Sequence, residues 1–517
     1  GRNVTIIGSQ LKAGNDLVVG ASNDVAMLAG IEESGAYSKK TKTGLFGMSK
    51  SGSSQLQTNV TQIGSSMAAG HDVVVVAGHD VRMNASVVNA ENDAELHAGL
   101  IDQSGDISLA AGEDEAFSRA EAFKKKIGLS LKDTIGLFAG TPGAGADITA
   151  IASHKGGREV ATSTSVGSQV NAGRDVSLKS ARDINIIGSG INAERNASLD
   201  AGRDVNILAG ANQQRSNSWE TNKSYGIKQD IDSNGFTTFV GDETIKEGIN
   251  STARTAAGSY IKAGHDVKIN ADRDINQQGS GLLADNDIRV KAGRDINIDA
   301  ADETNEVTRQ NSVKRNGTTT TIAYNIGNTI NGLKGTGKGE DRVSKGSSVL
   351  KSVDTLDNFF SGPKFDGHLG ASSTSQTNTH TSLTKRPSSL GAGNDIILDA
   401  GNDINVRGSQ FEAGRDINVT GRDITFDVAH GDDSSDGSNT QSKGGLKGGT
   451  TGGFKIGVGV SNSGAKDESS QGTSTVTRLN AGGSVKLDAK NDLTLVGAEV
   501  DADRNITLKA ANDLKIL

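Results

Sequence analysis

The sequence predicts an all-β chain, a right-handed parallel β-helix with coils of about 21 residues, interrupted by antiparallel β-hairpin insertions. Three observations carry that prediction. An acidic position recurs at a fixed interval, apolar residues alternate beside it, and the composition is too poor in large side chains for ordinary globular domains.

The composition comes first because it removes alternatives. Of 517 residues, 34% are hydrophobic and 3% aromatic, against 68 glycines and 3 prolines. Cores filled by aromatic side chains are therefore excluded. A disordered chain would not keep a strict apolar spacing, so repetition is the better account. The net charge of −8 comes from 54 basic and 62 acidic residues that mostly sit side by side as "RD" or "ND". No basic stripe is visible along the chain, which argues against nucleic acid as a partner. The absence of cysteine removes disulfides and thiolate metal sites. No apolar run approaches the ~20 residues of a membrane-spanning helix. The chain opens on "GRNVTII" and closes on "NDLKIL", both in strand pattern, and this predicts a segment of a longer polypeptide.

The repeat unit is a small residue, Gly, a polar residue, Asp or Asn, then apolar-x-apolar. Its acidic position forms a predicted structural turn ladder at Asp175, Asp183, Asn196, Asp204, Asp266, Asp274, Asp287, Asp295, Asp395, Asp403 and Asp416. The same position recurs earlier, from Asp16 to Asp106, and later, from Asp423 to Asp513. With few exceptions the intervals alternate between 8 and 13, so the true period is 21, as from Asp175 to Asn196 and from Asp183 to Asp204. Within a unit the apolar residues alternate, as in Ile184 and Ile186 or Val205 and Ile207, and period two means strand. Strands this short are stable only when stacked on their copies at the ~4.8 Å spacing of a sheet. Ile184 is then expected over Val205, and Asp183 over Asp204. Gly173 and Gly202 are expected to take φ > 0 at sharp corners. Asp183 and Asp204 are expected to bond their own downstream backbone as Asx turns. Arg182 and Arg203 would separate the stacked carboxylates. Of the twelve Phe, only Phe411 and Phe426 lie in coil segments.

The chain reads as one continuous β-helix with coil cassettes at 1–30, 66–112, 170–210, 261–300, 391–427 and 480–517. Insertions occupy 31–65, 113–169, 211–260, 301–390 and 428–479. Each opens with acidic or amide residues, such as "GEDEAFSR", and returns through a Ser/Thr-rich run, such as "TSTVTRLN". Hairpins that leave one corner and return to it are expected, the longest, 301–390, being partly disordered.

"AGRDINI", "AGHDVVV", "AGNDIIL" and the "GSxxxAGxD" re-entry resemble the haemagglutinin repeats of filamentous haemagglutinins and of contact-dependent growth inhibition effectors, which are two-partner secretion exoproteins. The resemblance implies a secreted filament on the bacterial cell surface, exported by an outer-membrane transporter that binds parts outside these residues. It implies a noncatalytic stalk that supports presentation or delivery of a C-terminal toxin to target bacteria. An adhesin that binds surface glycans or proteins through its insertions is the alternative. Target-cell surface or outer membrane is the partner implied for the insertions.

No catalytic, cofactor or metal residue is assigned. His71, His79 and His265 take the Arg place in "AGHD", which turn substitution explains. A calcium site of the "GGxGxDxUx" type is disfavoured by the cation preceding each Asp. A carbohydrate-cleaving site is disfavoured because carboxylates recur everywhere instead of clustering once. In the insertions, strands such as Tyr37 to Met48 and Phe454 to Val460 suit a β-layer packed on the helix wall, with receptor or outer-membrane contact as alternatives. The lysine run Phe123 to Gly128 is expected to protect a strand edge, with attraction to lipopolysaccharide or another anionic surface as the alternative.

Overall fold

The computed structural model describes every residue except 101–102, 133–144, 233–234, 324–363 and 450–454. The disorder expected within 301–390 falls on residues outside that described set.

Nearly every coil carries three short strands, one on each of three parallel sheets of twelve, eleven and eleven strands. The 8-residue interval of the sequence holds one strand, such as Val176–Ser180, on the second eleven-stranded sheet. The 13-residue interval holds two, such as Ile184–Ile187 on the twelve-stranded sheet and Gly190–Ala193 on the first eleven-stranded one. Stacking at the sheet spacing makes a rod of roughly 50 Å. Ile184 pairs with Val205 and Ile186 with Ile207, as the period requires.

The core is a single column. Ile184, Ile186, Leu178, Leu199, Ile191 and Ile261 are fully buried, and alternate residues on each strand turn outward. The column is narrow, so it takes Ile, Val, Leu and Ala at nearly every level. Phe411 and Phe426 enter it at one level as an edge-to-face pair, with centroids 6.3 Å apart and planes at 76°.

Glycine enters the corners for two different reasons. Gly173 and Gly202 do not have the positive φ expected of them. A Cβ on Gly202 would stand 2.2 Å from the Ala181 carbonyl oxygen of the coil below, and one on Gly173 would stand 2.1 Å from that of Glu91. Close stacking requires glycine there. The left-handed turn lies at the third corner, between the twelve-stranded sheet and the first eleven-stranded one, where Gly8, Gly188, Gly279, Gly408 and Gly497 have φ between 52° and 58°. Ala85 takes the same place at φ 44°.

At this same corner every second coil sends out a hairpin: Gly30–Thr43 with Ser49–Ile63, Gly112–Lys132 with Gly145–Val166, Gly210–Asp232 with Gly235–Ala257, Ala301–Ala323 with Lys364–Arg386, and Ala429–Gly449 with Lys455–Thr475. The five join edge to edge into one ten-stranded antiparallel sheet. This sheet is not a layer packed on the wall. Among the described residues the core column contains no hairpin side chain, and the hairpin strands are half-buried or exposed on both faces with few exceptions. The lysine run is not at an edge either. Lys124, Lys125 and Lys126 lie on an interior strand, paired on both sides with Ser51, Lys50 and Ser49 and with His154, Ser153 and Ala152.

Two tests separate these roles. Ile186→Asp places a charge in the column and should cost at least about 4 kcal/mol by denaturant titration. At the left-handed corner, Gly188→Ala should cost about 1–2 kcal/mol, because φ is positive and the new Cβ would approach Ser165 Oγ at 2.9 Å. Ala85→Gly should change stability by less than about 0.5 kcal/mol, since relief of left-handed strain offsets the lost methyl burial.

Candidate functional site

Two of the three corners carry carboxylate ladders. In each, one aspartate carboxylate accepts the backbone N–H of its counterpart one coil on: Asp183 Oδ1 from Asp204 N at 3.2 Å, Asp175 Oδ1 from Asn196 N at 3.1 Å, Asp274 Oδ1 from Asp295 N at 3.2 Å. The expected Asx turn within one coil is replaced by a bond between coils. A strand begins immediately after each Asp, so the nearest free amide belongs to the stacked coil. Asp266, Asp287, Asp395 and Asp416 continue one column, and Asp204, Asp274, Asp295 and Asp403 the other.

Between successive carboxylates stands a cation or an amide. Arg203 Nε donates to Asp183 Oδ1 at 2.6 Å while its Nη2 donates to Oδ2, and Arg195, Arg294 and Arg415 repeat that fork on Asp175, Asp274 and Asp395. Asn92, Asn286, Asn402 and Asn491 do the same with one amide bond at 2.7 Å. Histidine fills the place three times: His265 Nδ1 lies 3.1 Å from Asp266, while the other two stand between a pair of carboxylates, His71 Nδ1 2.9 Å from Asp16 and 3.1 Å from Asp72, and His79 Nδ1 3.2 Å from Asp24 and 3.3 Å from Asp80. Those two triads bring three possible metal ligands together. They also repeat the ladder contact that Arg and Asn make elsewhere, which accounts for them without a metal.

The ladder sets the carboxyl pKa values. The guanidinium of Arg415 holds Asp395 below the usual carboxylate range against the opposing effect of burial, and the Asn92 and Asn491 amides do so for Asp72 and Asp423. Asp403 is shifted the other way, by burial. The charges of Asp423 and Asp295 add to it. Asp403 to Asp423 is 20 positions, Gly421 having entered the strand opposite Ala489, and the rung from Asp423 N is no longer made to hydrogen-bond geometry.

Two further ladders were missed in the sequence. Ser65, Ser86, Ser168, Ser189, Ser259, Ser280, Ser388, Ser409 and Thr477 are almost wholly buried at the third corner. Their hydroxyls accept a backbone N–H from a neighbouring coil, as Ser189 Oγ does from Ser168 N at 3.1 Å, and donate to a carbonyl, as Ser259 Oγ does to Leu208 O at 2.6 Å. The "GS" before most re-entry strands was their signal, replaced by "AS" at Ser86, "PS" at Ser388 and "VT" at Thr477. On the outer face, Asn185, Asn206, Asn276 and Asn297 form an amide ladder with bonds of 2.9 Å, visible as the Asn of "DINI" and "DVNI".

The hairpin sheet differs in kind. Residues directly across from one another share a face, so its register reads the surface in rows. One row crosses all ten strands as Thr43, Lys50, Lys125, Ser153, Lys223, Thr244, Lys314, Ser373, Ser442 and Asn462. Two residues nearer the tips, on the same face, run Ile127, Ile151, Tyr225, Asp242, Asn316, Ala371, Gly444 and Val460. Two residues further lie Ile148, Ile227, Val240, Thr318, Leu369, Leu446 and Val458. Between these two rows, on the other face, runs a line of glycines, Gly226, Gly241, Gly317, Gly370, Gly445 and Gly459. Glu243 is buried on this glycine face by Lys228 and by Arg315, whose Nε lies 2.7 Å away and whose guanidinium covers the Phe239 ring at 5.6 Å. Burial works to raise the Glu243 pKa, but the two cations outweigh it and hold the carboxyl low. Nearer the rod a groove of about 660 Å³ opens beside Trp219, over which Arg119 stacks at 5.8 Å.

This geometry defines a class, a rod of stacked β-coils with a lateral sheet built from its own hairpins. Residues 46–165, 152–247, 240–357 and 369–517 match the hemagglutinin repeat, and the chain belongs to that family. It is similar to stretches of a Toxin CdiA from Yersinia pestis (36% identity over 137 residues, 24% of this chain and 4% of that protein). It is also similar to Deoxyribonuclease CdiA from Yersinia pseudotuberculosis serotype O:3 strain YPIII (35% over 144 residues, 24% and 13%) and to Toxin CdiA from Escherichia coli (31% over 144 residues, 25% and 5%). The matched region spans only a small part of each relative. No solved structure matches the chain.

The ladder predicts a signed pH effect. A carboxyl whose folded pKa is lowered, like Asp395, contributes stability that is present above its unfolded pKa near 3.9 and lost as pH falls through the folded value. Asp403, raised, opposes folding above its folded pKa and stops doing so below the unfolded one. Asp395→Asn should therefore lower stability at pH 7 by about 1–2 kcal/mol, and Asp403→Asn should leave it unchanged or raise it. In thermal melts the Asp395 difference should fade below about pH 4, where the Asp403 difference should already be gone.

Proposed function

We propose that this chain is a noncatalytic stalk of a large secreted exoprotein on the bacterial surface, and that it supports delivery of a C-terminal toxin to target bacteria. The observation that carries the reading is the division of the molecule. On the rod, corner polar groups are occupied by the next coil, as Asp183 is by Arg203 and Asp204 N. On the hairpin sheet, apolar side chains such as Val458 are exposed, and among the described residues the lysines of one row, Lys50, Lys125, Lys223 and Lys314, join no ion pair. The CdiA relatives named as toxins support the same reading, since the similarity lies in the repeat region of each. Export would use an outer-membrane transporter that engages parts outside these residues. The turn ladder then has a mechanical role, holding successive coils in register while the rod is displayed. The cassette boundaries given by the period are proposed as the units in which coils and hairpins were assembled.

The adhesin reading is favoured by one feature, the groove beside Trp219, where an aromatic face flanked by Gly157 and Gly248 suits a sugar ring. The two readings part in cells that display the exoprotein. Replacing residues 301–386 by a Gly-Ser corner like Gly279–Ser280 should leave attachment to target cells intact and abolish toxin delivery. Loss of attachment itself would establish the adhesin reading in its place. The purified chain should release no sugar from surface glycans, and specific hydrolysis would overturn the noncatalytic assignment.

A further inference from the structure

We propose that one face of the hairpin sheet docks on a lipid bilayer bearing anionic phosphate headgroups. The proposal rests on the hairpin sheet being the contacting part of the molecule, and adds the chemistry of what it contacts.

The order of the rows carries the argument. Lys50, Lys125, Lys223 and Lys314 form one line across the sheet, all exposed, and among the described residues none of the four joins an ion pair. No acidic residue shares their row. The chain as a whole is net −8, so this line is a local reversal of sign that one-dimensional reading hides. Toward the tips on the same face, Ile127, Ile151, Tyr225, Val240, Leu369, Leu446, Val458 and Val460 are each 42% to 82% exposed, and the one carboxylate in these two rows, Asp242, accepts from Asn316 Nδ2 at 2.9 Å. Two residues of strand set the first apolar row about 7 Å beyond the lysines. That offset matches the ~5–10 Å between phosphates and the acyl boundary in which interfacial elements bury their apolar side. Lysine stems can lie along apolar surface while their ammonium groups reach phosphate.

The other occupants fit worse. A second copy of this face would set lysine row against lysine row. A spanning wall needs an apolar band of ~25 Å, and two rows cover less than half of it. The opposite face is sealed at the same level by Glu243, Lys228 and Arg315. One face alone is therefore amphipathic along the strand direction, which is the geometry of a sheet lying tip-first against a charged bilayer surface.

The test uses the 517-residue chain and co-flotation with vesicles of phosphatidylcholine, alone or with about a quarter phosphatidylglycerol. Binding is expected to the anionic vesicles only and should weaken with salt. The K50Q/K125Q/K223Q/K314Q chain should bind them at least ~tenfold more weakly. A chain losing four exposed rod lysines, K179Q/K262Q/K268Q/K291Q, should bind as the parent does. Equal loss in both variants would mean non-specific charge attraction and overturn the proposal. Because the chain has no cysteine, V458C and S177C each carry one environment-sensitive dye. The emission of the Val458 label should shift to the blue on anionic vesicles, and that at Ser177 should not. An unshifted Val458 label, or affinity for a free glycan with none for vesicles, would overturn it as well. If vesicles are ignored while the 301–386 replacement still abolishes delivery, only the lipid partner falls. If vesicles bind while delivery survives that replacement, only the proposed function falls.

Discussion

One distance governs this molecule, the ~4.8 Å between hydrogen-bonded strands. Coils stack at that spacing because their strands pair in parallel, and hairpin strands pair at the same spacing in an antiparallel sheet. A hairpin is two strands wide, and two coils are two strands tall. Hairpins leaving one corner on every second coil are thus delivered to one another in register, with no gap and no overlap. Hairpins on every coil would need twice the width available, and hairpins on every third would leave unpaired edges. The left-handed turn at Gly188 or Gly408 is what the corner does on alternate coils, when it is not sending out a hairpin.

The rod adds an electrostatic condition to that spacing. Carboxylates stacked one coil apart repel unless something stands between them. Here three kinds of side chain take turns: the Arg fork, the Asn amide and the His imidazole. All three share the ability to donate toward the coil below, which also explains why the site tolerates substitution. The backbone amide of the next coil supplies a second donor, and at the short coil burial and two neighbouring carboxylates act against Asp403. Asp403 keeps an ion pair with Arg422 at 3.0 Å, yet its carboxyl is shifted upward while Asp395, with fork and amide both in place, is held down. At Asp403 burial and the charges of Asp423 and Asp295 outweigh the Arg422 cation, so a cation alone does not decide the state of a rung.

The coils were legible because period and burial coincide there. Ile184 and Ile186 alternate in sequence and both face the column, so spacing alone reports their environment. The corners were only half legible. Gly202 could be seen as indispensable, but a carbonyl 2.2 Å from its missing Cβ belongs to a residue 21 positions away, and no local rule contains that contact. Asp204 was recognised as a corner residue and assigned the wrong partner for the same reason. The serine ladder was hidden because the "GS" at Gly188 and Ser189 marks a corner in the sequence, while the burial of the hydroxyl depends on coils above and below. The hairpin sheet was the least legible part. Its lysine row draws Lys50, Lys125, Lys223 and Lys314 from one strand in each of four hairpins, and only the lateral register assembles them.

That register also explains why the hairpins can be so polar without being loose. An isolated long hairpin with both faces in water has little to stabilise it, and two-stranded ribbons are marginal by themselves. In this sheet each interior strand makes a full ladder of backbone bonds on both sides, and the rod fixes where each strand begins. Side chains are then released from the duty of forming a core. The glycine line shows the limit of that freedom: Cβ atoms on Gly317 and Gly445 would each meet a neighbouring carbonyl oxygen at 2.2 Å, so strands approach there as backbone alone. Glu243, Lys228, Arg315 and Phe239 close over that line on one face, leaving the apolar rows exposed on the other. The rod thus supplies the order that a hydrophobic core would otherwise supply, and the hairpin surface is free to be shaped by what it touches.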